Sequence, residues 1–126
     1  MSNIIVTTGI YDLLKDYVHR RKANPKEAEI ITNELKNAIQ VNRRDLPLDV
    51  VGINTIVTVH FKERDVEETF HFTNPQYARN KHKTISIISP IGVALVGRKK
   101  GDVIEWPFTN GTQTMTILNI EKVLDK

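Results

Sequence analysis

Ser89-Pro90-Ile91-Gly92-Val93-Ala94-Leu95-Val96-Gly97-Arg98-Lys99-Lys100-Gly101-Asp102 reads as a complete turn–helix–turn unit. Ser89 is placed to cap a helix whose first position is Pro90, where the missing N–H leaves no bond unmade. A two-turn apolar helix follows, and Gly97, suited to a left-handed C-terminal cap, is expected to stop it. Arg98, Lys99 and Lys100 then fall beside the helix C-terminus, where cations are favoured. Gly101-Asp102 turns the chain into the strand Val103-Ile104-Glu105-Trp106, with Trp106 a core candidate.

Working outward, the residues on either side alternate with period two. Thr84–Ile88 reads as a strand with Ile85 and Ile87 on one face and Ser86 and Ile88 on the other. Ile53–Phe61 and Val66–Phe72 are β-rich runs around Glu63-Arg64-Asp65. A two-residue Arg64-Asp65 turn would set Val57 opposite Phe72, Val59 opposite Phe70 and Lys62 opposite Glu67. Asn74–Lys83 is a polar, basic loop. Asn110-Gly111 signals a hairpin turn, after which Gln113–Val123 is the last strand. Residues 46–126 are therefore expected to form an antiparallel sheet with one short helix.

Residues 1–45 have a different character. Ile10, Leu13, Leu14, Tyr17 and Val18 repeat at helical spacing up to His19-Arg20-Arg21-Lys22. Asn24-Pro25-Lys26-Glu27 is a helix start, with Asn24 as N-cap, Pro25 at the first position and Glu27 closing a capping box. Ala28, Ile31, Leu35, Ala38 and Val41 continue one apolar seam, with Ile39 beside it. Two such helices joined by a few residues run antiparallel. The first, about fourteen residues, would span roughly 21 Å. The fold class is α+β: a short helical hairpin, then the sheet.

Composition sets limits. The chain has 126 residues, 40% hydrophobic and 26% charged, with a formal charge of +3 and no cysteine. Disulfides, thiolate nucleophiles and cysteine zinc sites are excluded. No apolar run approaches a membrane span, and Ile4-Ile5-Val6 is too short for a signal peptide, so a cytoplasmic protein without membrane contact is expected. The charge is too dispersed for a nucleic-acid footprint, so any DNA or RNA contact is expected to be weak or indirect. No catalytic constellation and no cofactor motif can be assembled, and a non-enzyme is expected.

The Ser89–Asp102 string resembles a signature of the GreA/GreB C-terminal domain and the related Rnk group (regulator of nucleoside diphosphate kinase), S-P-[IL]-[GA]-x-A-L-[LIV]-G-x-x-x-G-D. Leu46-Pro47-Leu48-Asp49-Val50-Val51-Gly52-Ile53-Asn54-Thr55-Ile56-Val57 is similar to that family's first-strand motif, P-x-x-V-x-[ML]-N-S-x-V. The order of elements up to Ile117-Leu118-Asn119-Ile120-Glu121 also fits. Asn3-Ile4-Ile5-Val6 looks like a Rnk-type leader. The resemblance implies an FKBP-like fold over 46–126 and docking on RNA polymerase at the rim of its secondary channel. It implies a docking role for position 88, where the cleavage factors commonly carry Asp or Asn and this chain has Ile88. Ile88 is apolar on the second strand face beside the helix start, so Ile88, Ser89, Pro90 and Ile91 either form a partner-docking edge or simply pack.

In those factors a longer hairpin carries acidic residues that help hold magnesium. Here the tip is Arg21-Lys22-Ala23-Asn24-Pro25-Lys26, cationic where Mg²⁺ wants carboxylates. Arg21, Lys22 and Lys26 are candidate partner contacts rather than metal ligands, and stimulation of transcript cleavage is not expected. A monomer is expected. Two alternatives remain open: an FKBP-like peptidyl-prolyl isomerase or chaperone module, and a regulator of a metabolic enzyme such as nucleoside diphosphate kinase. His60 and His71 would be diagonal neighbours on one sheet face in the register above, but they lack further ligands. Arg79, Lys81, His82 and Lys83 with Tyr77 form a small basic-aromatic cluster.

Overall fold

The computed structural model describes residues 3–78 and 84–123. The chain begins with a strand, β1 (Ile5–Thr7), followed by helices α1 (Thr8–His19) and α2 (Pro25–Lys36) and a second short strand, β2 (Ile39–Val41). Thr7 caps α1, and Asn24 and Glu27 form the full capping box of α2. Strands β1 and β2 pair in parallel, Ile5 opposite Ile39. The helical seam expected to run to Val41 therefore ends at Lys36. The Ile39 N–H is taken by the Ile4 carbonyl at 2.9 Å, so tertiary pairing overrides the helical period there. The first helix is also shorter than expected, at 12 residues.

Five strands make the main sheet: β3 (Thr55–Phe61), β4 (Val66–Thr73), β5 (Thr84–Ser86), β6 (Val103–Phe108) and β7 (Gly111–Lys122), in the order β5-β4-β3-β7-β6. All neighbours are antiparallel except β4 and β5, which run parallel, His71 opposite Thr84. The expectation of a wholly antiparallel sheet is corrected at that edge. Strand β5 stops at Ser86, where the Ser89 N–H donates to the Ser86 carbonyl and turns the chain. Helix α3 (Pro90–Leu95) follows at once.

The β3–β4 register differs by two residues from the sequence reading. Val57 faces Phe70, Val59 faces Glu68, and Phe61 faces Val66, so the loop is the four residues Lys62–Asp65. A shift of two keeps every side chain on its face, which is why the apolar pattern did not discriminate. Lys62 leaves β4 because its N–H bonds Thr114 on β7, and Asp65 adopts φ 50° to close the turn. His60 pairs with Glu67 and contacts Asp65 at 2.9 Å, while His71 pairs with Ile56. The two histidines are thus four residues apart along the ladder, about 13 Å, and are not neighbours. The β6–β7 hairpin turns at Thr109-Asn110, and β7 starts at Gly111, two residues earlier than expected. A register shift between Thr58 and Val59 leaves Leu118 as an extra residue in β7.

One face of the sheet carries Val57, Val59, Phe72, Ile104, Trp106, Met115 and Ile117, all fully buried. Each such side chain contributes on the order of 1.5–3 kcal/mol through burial. Val93, Ala94 and Leu95 of α3 join this core, as do Ile10, Leu14 and Tyr17 of α1 and Ile31 of α2. Helix α3 ends at Leu95, before the glycine expected to cap it. Gly97 directly follows the C-cap Val96 in the left-handed conformation expected of it, at φ 81°, and it also serves the packing: a Cβ there would lie 2.8 Å from the Ile4 side chain. Its N–H and carbonyl bond Val51 and Ile5, tying the leader strand to the sheet domain.

Candidate docking surface

The Ser86–Val93 segment builds a corner from local bonds. Ile87 is buried and donates its N–H to Thr73 on β4. The Ser86 hydroxyl accepts the Ile88 N–H at 3.1 Å, and the Ser89 hydroxyl accepts the Gly92 N–H at 3.2 Å. Gly92 lets the helix sit directly on this turn, because a Cβ would stand 2.3 Å from the Ile87 carbonyl oxygen. Ile88 and Ile91 are half-buried against the core, Ser89 is half-buried, and Pro90 is exposed.

Pro90 and Ile91 line a groove of about 580 Å³ with Phe61, Phe70, Phe108 and Gln113. Ile88 and Ser89 lie beside it, outside its lining. The Phe70 ring stacks on Phe72 at 5.9 Å and meets Phe61 edge-on at 6.3 Å. Arg64 covers Phe61 at 4.4 Å and pairs with Glu68 at 2.9 Å. The Gln113 Oε1 is buried and accepts no hydrogen bond among the described residues. The aromatics and Gln113 were not among the sequence candidates. Phe61 and Phe108 are each the last residue of a strand, β3 and β6, while Phe70 pairs with Val57 within β4, a grouping visible only once the register is known.

The hairpin tip is a separate feature. Arg21, Lys22 and Lys26 are exposed there. Asn24 Nδ2 donates to the Pro107 carbonyl at 2.9 Å, which lays the tip against the end of β6. Glu27 is buried: its carboxylate accepts the Asn24 N–H at 3.1 Å and the Trp106 indole N–H at 2.7 Å. Burial, and then the Glu27 charge, hold the Tyr17 phenol above its usual pKa. Further along α2, Glu34 pairs with the Arg98 guanidinium, which is buried. On the β3–β4 loop the Thr114 N–H donates to Glu63 at 2.8 Å and lowers its pKa.

Among the described residues no group of three or more His, Asp or Glu side chains is placed to hold a metal ion. Among the described residues no helix is long and apolar enough to cross a membrane. Arg79, Lys81, His82 and Lys83 lie outside the described residues, so the basic-aromatic cluster has no structural account.

Residues 46–122 match the model of the family described as transcription elongation factor, GreA/GreB, C-terminal. The chain is 40% identical over 92 residues to a transcription elongation factor GreA of Clostridium kluyveri, covering 73% of this chain and 58% of that protein. It is 36% identical over 124 residues to GreA of Clostridium beijerinckii, covering 94% of this chain and 78% of the relative. The chain therefore spans somewhat more than half of the first relative and about three quarters of the second. The fold resembles that of a GreA/GreB factor from Nitrosomonas europaea, with a TM-score of 0.65, 24% identity and coverage of 96% and 99% of the two chains. With the signature helix, its capped turn and the strand order all present, the chain belongs to the GreA/GreB transcription elongation factor family.

Proposed function

We propose that the chain is an RNA-polymerase-binding regulator that docks through the corner Ile88–Ile91 and does not stimulate transcript cleavage. In this reading residues 46–126 are the docking unit and the hairpin of residues 1–45 is an accessory to it. The observation that carries the reading is the contrast between the corner and the hairpin tip. The corner leaves Pro90 exposed and Ile91 half-exposed beside an aromatic groove, the composition expected at the centre of a protein interface. The hairpin tip presents Arg21, Lys22 and Lys26, and its one first-turn carboxylate, Glu27, is buried under Trp106. A tip of that chemistry supplies no ligand to Mg²⁺. The tip is also bonded to β6 rather than projecting as a finger.

The test is a pull-down of core RNA polymerase with the full chain, with and without competing GreA, together with a cleavage assay on stalled complexes. Binding that GreA displaces, without accelerated cleavage, is expected. Ile88→Asp should abolish capture while leaving the melting temperature within a few degrees of wild type. Capture indifferent to GreA, or an Ile88→Asp variant that binds normally, would overturn the docking assignment. Accelerated cleavage would overturn the second half.

A further inference from the structure

The loop between α1 and α2, residues 20–24, is pinned on both sides. Helix α1 closes in a Schellman motif: the Arg21 N–H donates to the Val18 carbonyl and the Lys22 N–H to the Tyr17 carbonyl, each at 3.1 Å. Ala23 packs on the core, and Asn24 both opens the capping box of α2 and donates its amide to the Pro107 carbonyl. Arg21 and Lys22 are exposed, and among the described residues neither is in an ion pair, whereas Arg20 is taken by Asp16 at 3.0 Å. Lys26 shares a surface recess with Glu29 and Glu105, which leaves Arg21 and Lys22 as the tip cations without a carboxylate partner.

The backbone of Arg21 is an independent observation. It adopts φ 57°, the left-handed conformation that glycine usually fills after a helix, because a Cβ there crowds the following carbonyl. The same chain does place glycine after α3, where Gly97 follows Val96 at φ 81°. An arginine held in this conformation is strained, and such strain persists where the side chain has a use. The pinning also fixes where the cations stand. Phe108, next to the Pro107 that holds Asn24, lines the aromatic groove with Pro90 and Ile91. The tip is thus tied to the strand end that walls the groove.

We propose that Arg21 and Lys22 are a preset receptor for an acidic side chain of the docking partner, an aspartate or glutamate beside the apolar residues that the corner and groove cover. This rests on the docking reading above and adds the charge of the surface that docks. Holding the cations rigidly before binding lowers the ordering cost of the contact. A nucleic-acid backbone is the poorer fit. It calls for cations along a stripe and for stacking rings, and residues 20–26 contain no aromatic.

The test measures equilibrium binding of the full chain to core RNA polymerase at several salt concentrations, with thermal unfolding of each variant. Arg21→Gly relieves the left-handed strain, so its melting temperature should rise by a few degrees. Its affinity should nevertheless fall about threefold. Lys22→Glu should unfold near the wild-type temperature and bind about tenfold more weakly. Both variants should flatten the salt dependence of binding. Stability gained while binding is lost separates a partner contact from a structural role. Unchanged affinity and salt slope in both variants would overturn the receptor and leave the docking corner standing. A wild-type chain that fails to bind polymerase at all would overturn both. Labelled single-stranded RNA bound through Arg21 and Lys22, with polymerase affinity unmoved by either substitution, would overturn the acidic partner in favour of nucleic acid.

Discussion

The hairpin seam and the Ser89 corner both join a helix to the sheet, yet they are built from opposite materials. At the seam polar groups do the joining across long stretches of chain. Glu27 is held between the Asn24 N–H and the Trp106 indole, Glu34 pairs with Arg98, and the Asn24 amide bonds Pro107. At the corner the side-chain hydrogen bonds are local, the Ser86 hydroxyl accepting from the Ile88 N–H and the Ser89 hydroxyl from the Gly92 N–H. Its apolar side chains are left partly uncovered. The difference teaches where recognition belongs. Charged groups already paired within the chain have little left to offer a partner, whereas half-buried Ile88, Ile91 and exposed Pro90 gain by being covered.

Breaking the seam should have the largest effect. Trp106→Ala removes a fully buried indole and should cost about 3–5 kcal/mol by denaturant titration. Trp106→Phe sharpens the point: it keeps most of the volume but leaves a Glu27 carboxylate oxygen without its donor, for a loss of about 1–3 kcal/mol. If Trp106→Phe proves as stable as wild type, the seam is held by packing alone and the comparison fails. The corner should break differently. Gly92→Ala forces a Cβ against the Ile87 carbonyl, where overpacking costs about 1–3 kcal/mol. It should also shift Pro90 and Ile91 and weaken polymerase capture, whereas Trp106→Phe leaves capture intact. Equal loss of capture in the two variants would show that the regions are not independent.

What could be read from the sequence follows the same division. The corner was legible because its determinants lie within a few residues: Ser89 caps, Pro90 starts the helix, and both hold in the structure. The capping box at Asn24 and Glu27 was legible for the same reason. The second role of Glu27, toward Trp106 at a separation of 79 residues, left no local mark, nor did the Arg98–Glu34 pair. Arg98 was read only as a charge beside the end of α3, because nothing nearby in sequence says that Glu34 of α2 will pair with it. The β3–β4 register missed by two because both registers bury the same residues, and the deciding bonds, Lys62 and Glu63 to Thr114, come from a third strand. Helix α2 was read too long because β1, its reason for stopping, is more than thirty residues away.

The smallest effect expected is one of pH, and it distinguishes the seam from the corner without disrupting either. Tyr17 is buried in α1, and burial together with the Glu27 charge raises its phenol pKa above the usual value near 10. The folded state then holds the proton at a pH where the unfolded chain has released it. This contribution is fully present below about pH 10, declines as pH rises, and is lost once pH passes the raised folded value. Tyr17→Phe removes the ionisation, so its unfolding free energy should fall less steeply than wild type above pH 10, while the curves run parallel between pH 7 and 9. Denaturant titrations at a series of pH values read the slope directly. The corner has no ionisable side chain from Ser86 to Val93, so Ile91→Val should keep the wild-type alkaline slope while lowering stability uniformly by about 1 kcal/mol. An alkaline slope unchanged by Tyr17→Phe would place the titrating group outside the seam.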